Sequence, residues 1–336
     1  MNKKKKKRNK DLHQQAYDKL TSMLAFGRSK NEDKHGEGIK KNIYQHTTFD
    51  TYWKHIKYFV DYVKKNHPEC TKIKNARKYV KEWLEYRTSE GYSAWTINLQ
   101  AKALGKFYQI TPDDKDYFKC PTRHKEDIKR SRNKDGKYNE RFNEEKYEEL
   151  VHFCKHTGLR KDKCLTKIEN NCLYGVDDID KEIKRLKSEP ANEDNTKLLT
   201  ALYDTKLFKE KWFIKVKGKG GRIRFAPILD NDEQVIQKIQ NTYPGNKVWP
   251  KKQVPNNCDG HGYRRDYAQE LYRQYACNIN SMPKFFEDSR GDIHLSRYFK
   301  RGEDKGIVLD KKAMSIVSIA IGHGKDRFTT LADNYL

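Results

Sequence analysis

No apolar run in the chain approaches the roughly 20 residues that a membrane-spanning helix needs. No apolar segment follows the basic start, as one would in a secretory leader, so the expectation is a cytoplasmic protein without a membrane partner. Cysteine is sparse. The seven residues at 70, 120, 154, 164, 172, 258 and 277 are odd in number and form no C-x-x-C pair, which argues for reduced thiols and against a zinc module. Acid is the other shortage: 47 Asp and Glu face 71 Lys and Arg, leaving a net charge of +24. A surplus of that size, with 12% aromatic residues, fits a nucleic-acid partner better than a generic solvated surface. The hydrophobic fraction is only 35%, but 21 tyrosines and 14 phenylalanines supply enough apolar area for ordinary cores, and 336 residues allow two of them.

The first ten residues carry Lys3–Lys7, Arg8 and Lys10 and no acid, so residues 1–41 read as a basic flexible arm, with Asp11–Phe26 a candidate short helix. Residues 42–110 read as a helical domain. Phe49, Tyr52, Trp53, Ile56, Phe59, Val60 and Val63 recur at three- and four-residue spacing behind candidate caps Thr47, Thr48 and Asp50. Two further helices are expected near Asn75–Glu90 and Ser93–Gln109, the latter carrying Lys102 and Lys106 on its outer face. Residues 111–140, with two prolines and a basic run, read as a linker. The remainder, 141–336, opens with a helix at Asn143. It contains a hairpin over Lys211–Ile228 and returns to helices at Asp230–Gln240, Tyr263–Cys277 and Lys311–Ile321. Residues 177–208 and 278–310 fit no compact core well and read as insertions.

Four segments of this second half concentrate groups that bind phosphate. They are T-G-L-R at Thr157–Arg160, G-K-G-G-R-I-R at Gly218–Arg224, H-G-Y-R-R at His261–Arg265, and I-G-H-G at Ile321–Gly324. Tyr335 follows His323 by twelve positions and lies outside any obvious apolar stripe. Gly218–Gly220 lacks the strand–GxxxxGK[ST]–helix context of a nucleotide-binding loop, so a hairpin tip bearing Lys219 is the better reading. His152 and His156 stand at helical i,i+4 spacing, but Cys154 between them projects to another face and no third ligand is evident, so no metal is assigned.

The order of these motifs resembles the catalytic domain of the tyrosine recombinases, the phage integrase family, and the helical 42–110 segment resembles that family's core-type DNA-binding domain. The resemblance implies a mostly α fold with a small antiparallel β-sheet, a helical core-binding domain followed by an integrase-like catalytic domain. It implies a site-specific recombinase, without cofactor or metal, acting as a homo-tetramer on paired sites in double-stranded DNA and serving a bacterial mobile element. Accessory DNA-bending proteins are compatible partners, and the nucleoid is the implied location. Arg160 and Arg264 take the places of the catalytic arginines and Lys219 that of the hairpin lysine. His261 and His323 take the two histidine places, and Tyr335 that of the nucleophile. An acidic residue is usual three positions after the first arginine, where this chain has Lys163. That departure keeps open a relative that binds DNA without cutting it, and a type IB-like topoisomerase is the other enzyme with this constellation.

The chemistry does not depend on the name. Two arginines can hold the nonbridging oxygens of a phosphodiester by paired, charge-assisted hydrogen bonds while a phenolate attacks phosphorus. A free phenol, with a pKa of about 10, needs help to lose its proton. His261 is the candidate for that transfer, His323 for a further hydrogen bond to phosphate, and Lys219 for protonating the leaving 5′-oxygen.

Overall fold

The computed structural model describes residues 10–28, 33, 38–124, 142–161, 164–218, 221–288, 291–301, 304–324 and 327–336. The chain divides into two compact units, Met1–Lys129 and Arg130–Leu336. Both are built mostly of helix, and three small antiparallel sheets are found among the described residues of the second, in agreement with the expected class. No helix among the described residues is long and apolar enough to cross a membrane.

The first unit comprises α1 (Leu12–Thr21), α2 (Gly38–Lys41), α3 (His46–Asn66), a 3-10 turn at Asn75–Tyr79, α4 (Val80–Ser89) and α5 (Ala94–Tyr108). Its core joins Ile56, Phe59, Val60 and Val63 of α3 to Trp83, Leu84, Leu104 and Phe107. Ser93 caps α5 by accepting from the Thr96 amide. Thr47, Thr48 and Asp50 cap nothing: α3 already starts at His46, behind an extended Gln45, so they lie within its first turns.

Two boundaries read from the sequence need correction. Residues 1–41 are not all arm, because α1 sets Leu12, Ala16 and Leu20 at four-residue spacing and buries all three against the α3 core, with Ile43 beside them. Polar residues on the other faces of α1 hide that stripe in the overall composition. The first part of the linker also belongs to this unit. Phe118 packs on the core, Arg77 Nη2 donates to Asp114 Oδ1 at 2.6 Å, and Asn98 Nδ2 donates to the Pro121 carbonyl at 3.2 Å. The basic runs at 1–9 and 125–141 lie outside the described residues.

The second unit begins with a 3-10 turn at Glu145–Tyr147 and α6 (Glu148–Thr157), then β1 (Leu173–Gly175), α7 (Val176–Ser188) and α8 (Glu193–Asp204). The hairpin follows as β2 (Trp212–Lys217) and β3 (Ile223–Pro227), then α9 (Glu233–Gln240) and α10 (Gly260–Tyr275). The chain ends through β4 (Phe285–Glu287), β5 (Ile293–Leu295), β6 (Arg297–Phe299), β7 (Val308–Asp310), α11 (Lys311–Ala320) and α12 (Phe328–Asn334). Strands β1, β2 and β3 form one antiparallel sheet, in which Phe213 faces Pro227 and Val216 faces Arg224.

Both faces of that sheet are covered. Ile214, Val216, Ala226 and Ile228 share a core with Leu150 and Val151 of α6 and Val235, Ile236 and Ile239 of α9. Phe213 and Phe225 pack instead on Ile179 and Ile183 of α7 and on Leu202 of α8. Residues 177–208, expected to fit no compact core, therefore supply the sheet's second layer. The reason is that α7 gathers Ile179, Ile183 and Leu186 on one face of an otherwise charged helix, which average polarity conceals.

Candidate active site

The T-G-L-R segment begins where α6 stops. Gly158 ends the helix in the left-handed region at φ 56°, and a Cβ there would lie 2.3 Å from the Tyr267 ring, so only glycine permits this packing. Leu159 is buried and Arg160 emerges half-buried beyond it. Lys161 then stitches this turn to the approach of α10, its Nζ donating to the carbonyls of Pro255, Asn256 and Cys258 at 3.3, 2.8 and 3.4 Å. Asp259 caps α10 by accepting from the Gly262 amide at 3.1 Å. The first turn of α10 holds His261 at the surface, and one turn later Arg264 points inward and is 1% exposed.

Arg264 is the organising group. Its Nη1 donates to the Gly158 carbonyl, its Nη2 to the Ile321 carbonyl, and its Nε to Tyr335 Oη at 3.3 Å. One guanidinium thereby ties together the turn before Arg160, the turn before His323, and the terminal tyrosine. Burial holds its pKa below the usual arginine range, against the opposing influence of Tyr335. With three of five N–H groups engaged, Arg264 offers fewer donors to a ligand than the sequence reading gave it. Among the described residues the Arg160 side chain has no hydrogen-bond or ion-pair partner, so its guanidinium has more uncommitted donors than that of Arg264.

The I-G-H-G turn follows α11. The backbone amide of His323 donates to the Ser318 carbonyl at 2.9 Å, and Gly322 adopts φ 73°. A Cβ on Gly322 would meet Arg224 Nε at 2.7 Å, so glycine admits a second guanidinium beside the turn. The rings of His323 and Tyr335 meet edge-to-face at 5.3 Å between centroids. Among the described residues His323 Nδ1 is buried without a hydrogen-bond partner.

Tyr335 does not stand apart from an apolar stripe, contrary to expectation. Leu331, Ala332 and Tyr335 follow one another at helical spacing along α12 and its C-cap and pack on Tyr267, Met314 and Val317, leaving Tyr335 8% exposed. The helix is only seven residues long, and a stripe of two or three positions gives too little periodicity to be read. Lys219 and Lys163 lie outside the described residues. Gly218, next to Lys219, lines a small cleft with Arg160, Arg222, Arg224 and Gly322.

Arg224 is the residue that sequence reasoning missed. It occupies an inward position of β3 and is 7% exposed, with Nη1 donating to the Ala320 carbonyl. Burial, followed by the charges of its neighbours with Arg264 first, pushes its pKa down to about 10. The signal was an arginine inside the apolar run I-R-F-A-P-I, where a charge has no solvent face to occupy. Among the described residues no ion pair neutralises Arg160, Arg222, Arg224, Arg264 or Arg327. Such a cluster is costly when empty and is stabilised by a bound anion.

The same field acts on His323, whose pKa falls from 6.5 to about 4, first through burial and then through Arg264, Arg160, Arg224 and Arg327. The imidazole is thus neutral at pH 7. Because its folded pKa lies below the unfolded one, the unfolded chain takes up the proton first as pH falls. Stability should therefore drop between about pH 6.5 and about pH 4. Denaturant midpoints across that window should fall less steeply for His323→Gln than for the wild type, and parallel curves would refute the assignment.

No known family model, curated protein or solved structure matches this chain.

Proposed function

We propose that this protein is a tyrosine recombinase of the phage integrase type, which cleaves and rejoins double-stranded DNA through a covalent 3′-phosphotyrosine at Tyr335. The observation that carries the reading is the Arg264 hub. It joins Tyr335 Oη to the turns that bear Arg160 and His323, in a cluster of arginines without carboxylate partners among the described residues. A phenol held against guanidinium groups in an anion-seeking site matches the needs of attack on a phosphodiester.

In this mechanism Arg160 and the remaining N–H groups of Arg264 hold the nonbridging oxygens, with Arg224 adding to the positive field. Neutral His323 offers its imidazole to the same phosphate. Tyr335 Oη attacks phosphorus, its proton passing to His261, while the bond to the 5′-oxygen breaks and Lys219 protonates that oxygen. The phosphotyrosine conserves the bond energy, so a 5′-hydroxyl from a second strand reverses the step without ATP. Strand exchange places the enzyme on paired sites as a homo-tetramer, in a cytoplasmic, nucleoid-associated setting, with accessory DNA-bending proteins as compatible partners.

The first unit suits a DNA-binding role. Tyr58, Tyr86, Tyr92 and Trp95 are exposed, Arg87 stacks over Tyr92 at 3.3 Å, and Arg123 over Trp95 at 4.6 Å. Exposed rings bearing cations present both stacking surfaces and phosphate contacts to nucleic acid.

The test is a nicked DNA substrate, taken from the ends of the element that carries the gene, on which a cleaved strand cannot be rejoined. A denaturation-resistant protein–DNA adduct is expected, with exchange between paired intact sites. Relaxation of supercoils without exchange would instead identify a topoisomerase. Binding without any adduct would identify a non-cleaving relative.

A further inference from the structure

The two histidines that lacked a third ligand in the sequence acquire one from the fold. His152 and His156 lie one turn apart on α6, their rings 4.0 Å apart between centroids, and Asp232 reaches them from the N-cap of α9. His152 Nε2 is 3.0 Å and His156 Nε2 3.8 Å from the same oxygen, Asp232 Oδ2. We propose that these three side chains form a binding site for a divalent transition metal, zinc by preference, which fastens α6 to α9. This site is separate from the proposed strand-cleavage chemistry and does not rest on it.

The spacing is that of a nearly assembled site. Zinc bonds of about 2.0–2.1 Å at tetrahedral angles set neighbouring ligand atoms roughly 3.3 Å apart, a value bracketed by the two distances to Asp232 Oδ2. The nitrogen assignments also fit. His156 Nδ1 hydrogen-bonds to the His152 carbonyl at 2.9 Å, so Nδ1 carries the proton and Nε2 presents its lone pair. Asp232 is fixed from behind in the same way, its Oδ1 accepting from the Val235 amide at 2.9 Å while Oδ2 faces the imidazoles. That carboxyl stays below the usual carboxylate range although burial opposes it, because the Val235 amide and His152 stabilise its charge.

The backbones that carry the ligands are held independently of any ion. Val151 of α6 and Val235, Ile236 and Ile239 of α9 share one core, and Lys238 pairs with Glu149 at 2.8 Å across the two helices. The ligand side chains are 31%, 24% and 17% exposed for His152, His156 and Asp232, which leaves an entry path and room for water as a fourth ligand. Two imidazoles and one carboxylate suit zinc among the common biological ions, whereas calcium and magnesium require oxygen donors. When the ion enters, the proton between His152 Nε2 and Asp232 Oδ2 leaves to solvent and the His152 ring keeps one proton, on Nδ1, so that Nε2 ligates as a neutral imidazole.

The experiment uses the full chain, stripped with a chelator and titrated with zinc chloride against a chromophoric competitor, with thermal unfolding followed in parallel. One equivalent should bind, and the midpoint of unfolding should rise with zinc. His156→Ala removes a ligand, and Asp232→Asn removes the ligating charge while keeping a good N-cap for α9. Because loss of a partner that merely orients a ligand costs about 10- to 100-fold, each variant should weaken zinc binding by at least roughly 10-fold. Circular dichroism without metal checks that both variants are folded; should His156→Ala unfold, Asp232→Asn alone decides. Cobalt substituted at the site should give visible bands without thiolate charge transfer. Failure of the wild type to bind, wild-type affinity in a folded variant, or thiolate bands revealing capture by cysteine would each overturn the proposal.

Discussion

Replacing Tyr335 by phenylalanine should abolish the covalent DNA adduct while leaving DNA affinity close to that of the wild type. The substitution deletes only the hydroxyl, and the ring's packing on Met314, Val317 and Tyr267 remains available to phenylalanine. What is lost is the hydroxyl proposed as nucleophile and the acceptor for Arg264 Nε, a hydrogen bond to a charged group of the kind that contributes about 1.5–3 kcal/mol. Some loss of thermal stability is therefore expected alongside the chemical defect. Adduct formation on a nicked substrate and a binding isotherm on intact DNA separate the two effects. A structural tyrosine would lose stability and keep the adduct. Arg264→Ala provides the contrast: it leaves the carbonyls of Gly158 and Ile321 unpaired and should lower adduct rate, DNA grip and stability together. Persistence of the adduct in the phenylalanine variant, or its mapping to another residue by peptide digestion, would falsify the assignment of Tyr335.

Lys219→Ala should slow cleavage of a normal phosphodiester by roughly 10²- to 10⁴-fold, the range of general acid catalysis. Lys219 itself lies outside the described residues. Strand β2 ends at Lys217, β3 begins at Ile223, and Gly218 N donates to the Arg222 carbonyl at 2.7 Å to close the turn between them. Gly218 lines the cleft that contains Arg160. A substrate with a 5′-thiolate leaving group needs no proton. On that substrate the alanine variant should match the wild type, and an equal defect on both substrates would make Lys219 a positioning residue instead.

Several features were legible because they depend on local periodicity or turn chemistry. The Phe49–Val63 stripe fixed α3, and the apolar runs on either side of the G-K-G-G segment fixed β2 and β3. The chain order of Arg160, Arg264, His323 and Tyr335 was likewise visible before any fold was known. The burial of α1 and the packing of α7 on the sheet were not, because three apolar side chains on a polar helix leave average composition almost unchanged.

Residue identity alone determined which groups could act, since donor count, charge and nucleophilicity belong to the side chain wherever it lies. Tertiary structure decided what each group does. It turned Arg264 from a presumed free clamp into a buried tie between three segments, and it brought Arg224 to the I-G-H-G turn through β-sheet register. It also set Asp232 against two histidines 80 and 76 positions earlier in the chain. These outcomes depend on which helix faces meet across the cores around β2 and β3, a matter of packing complementarity between distant segments that no local pattern encodes.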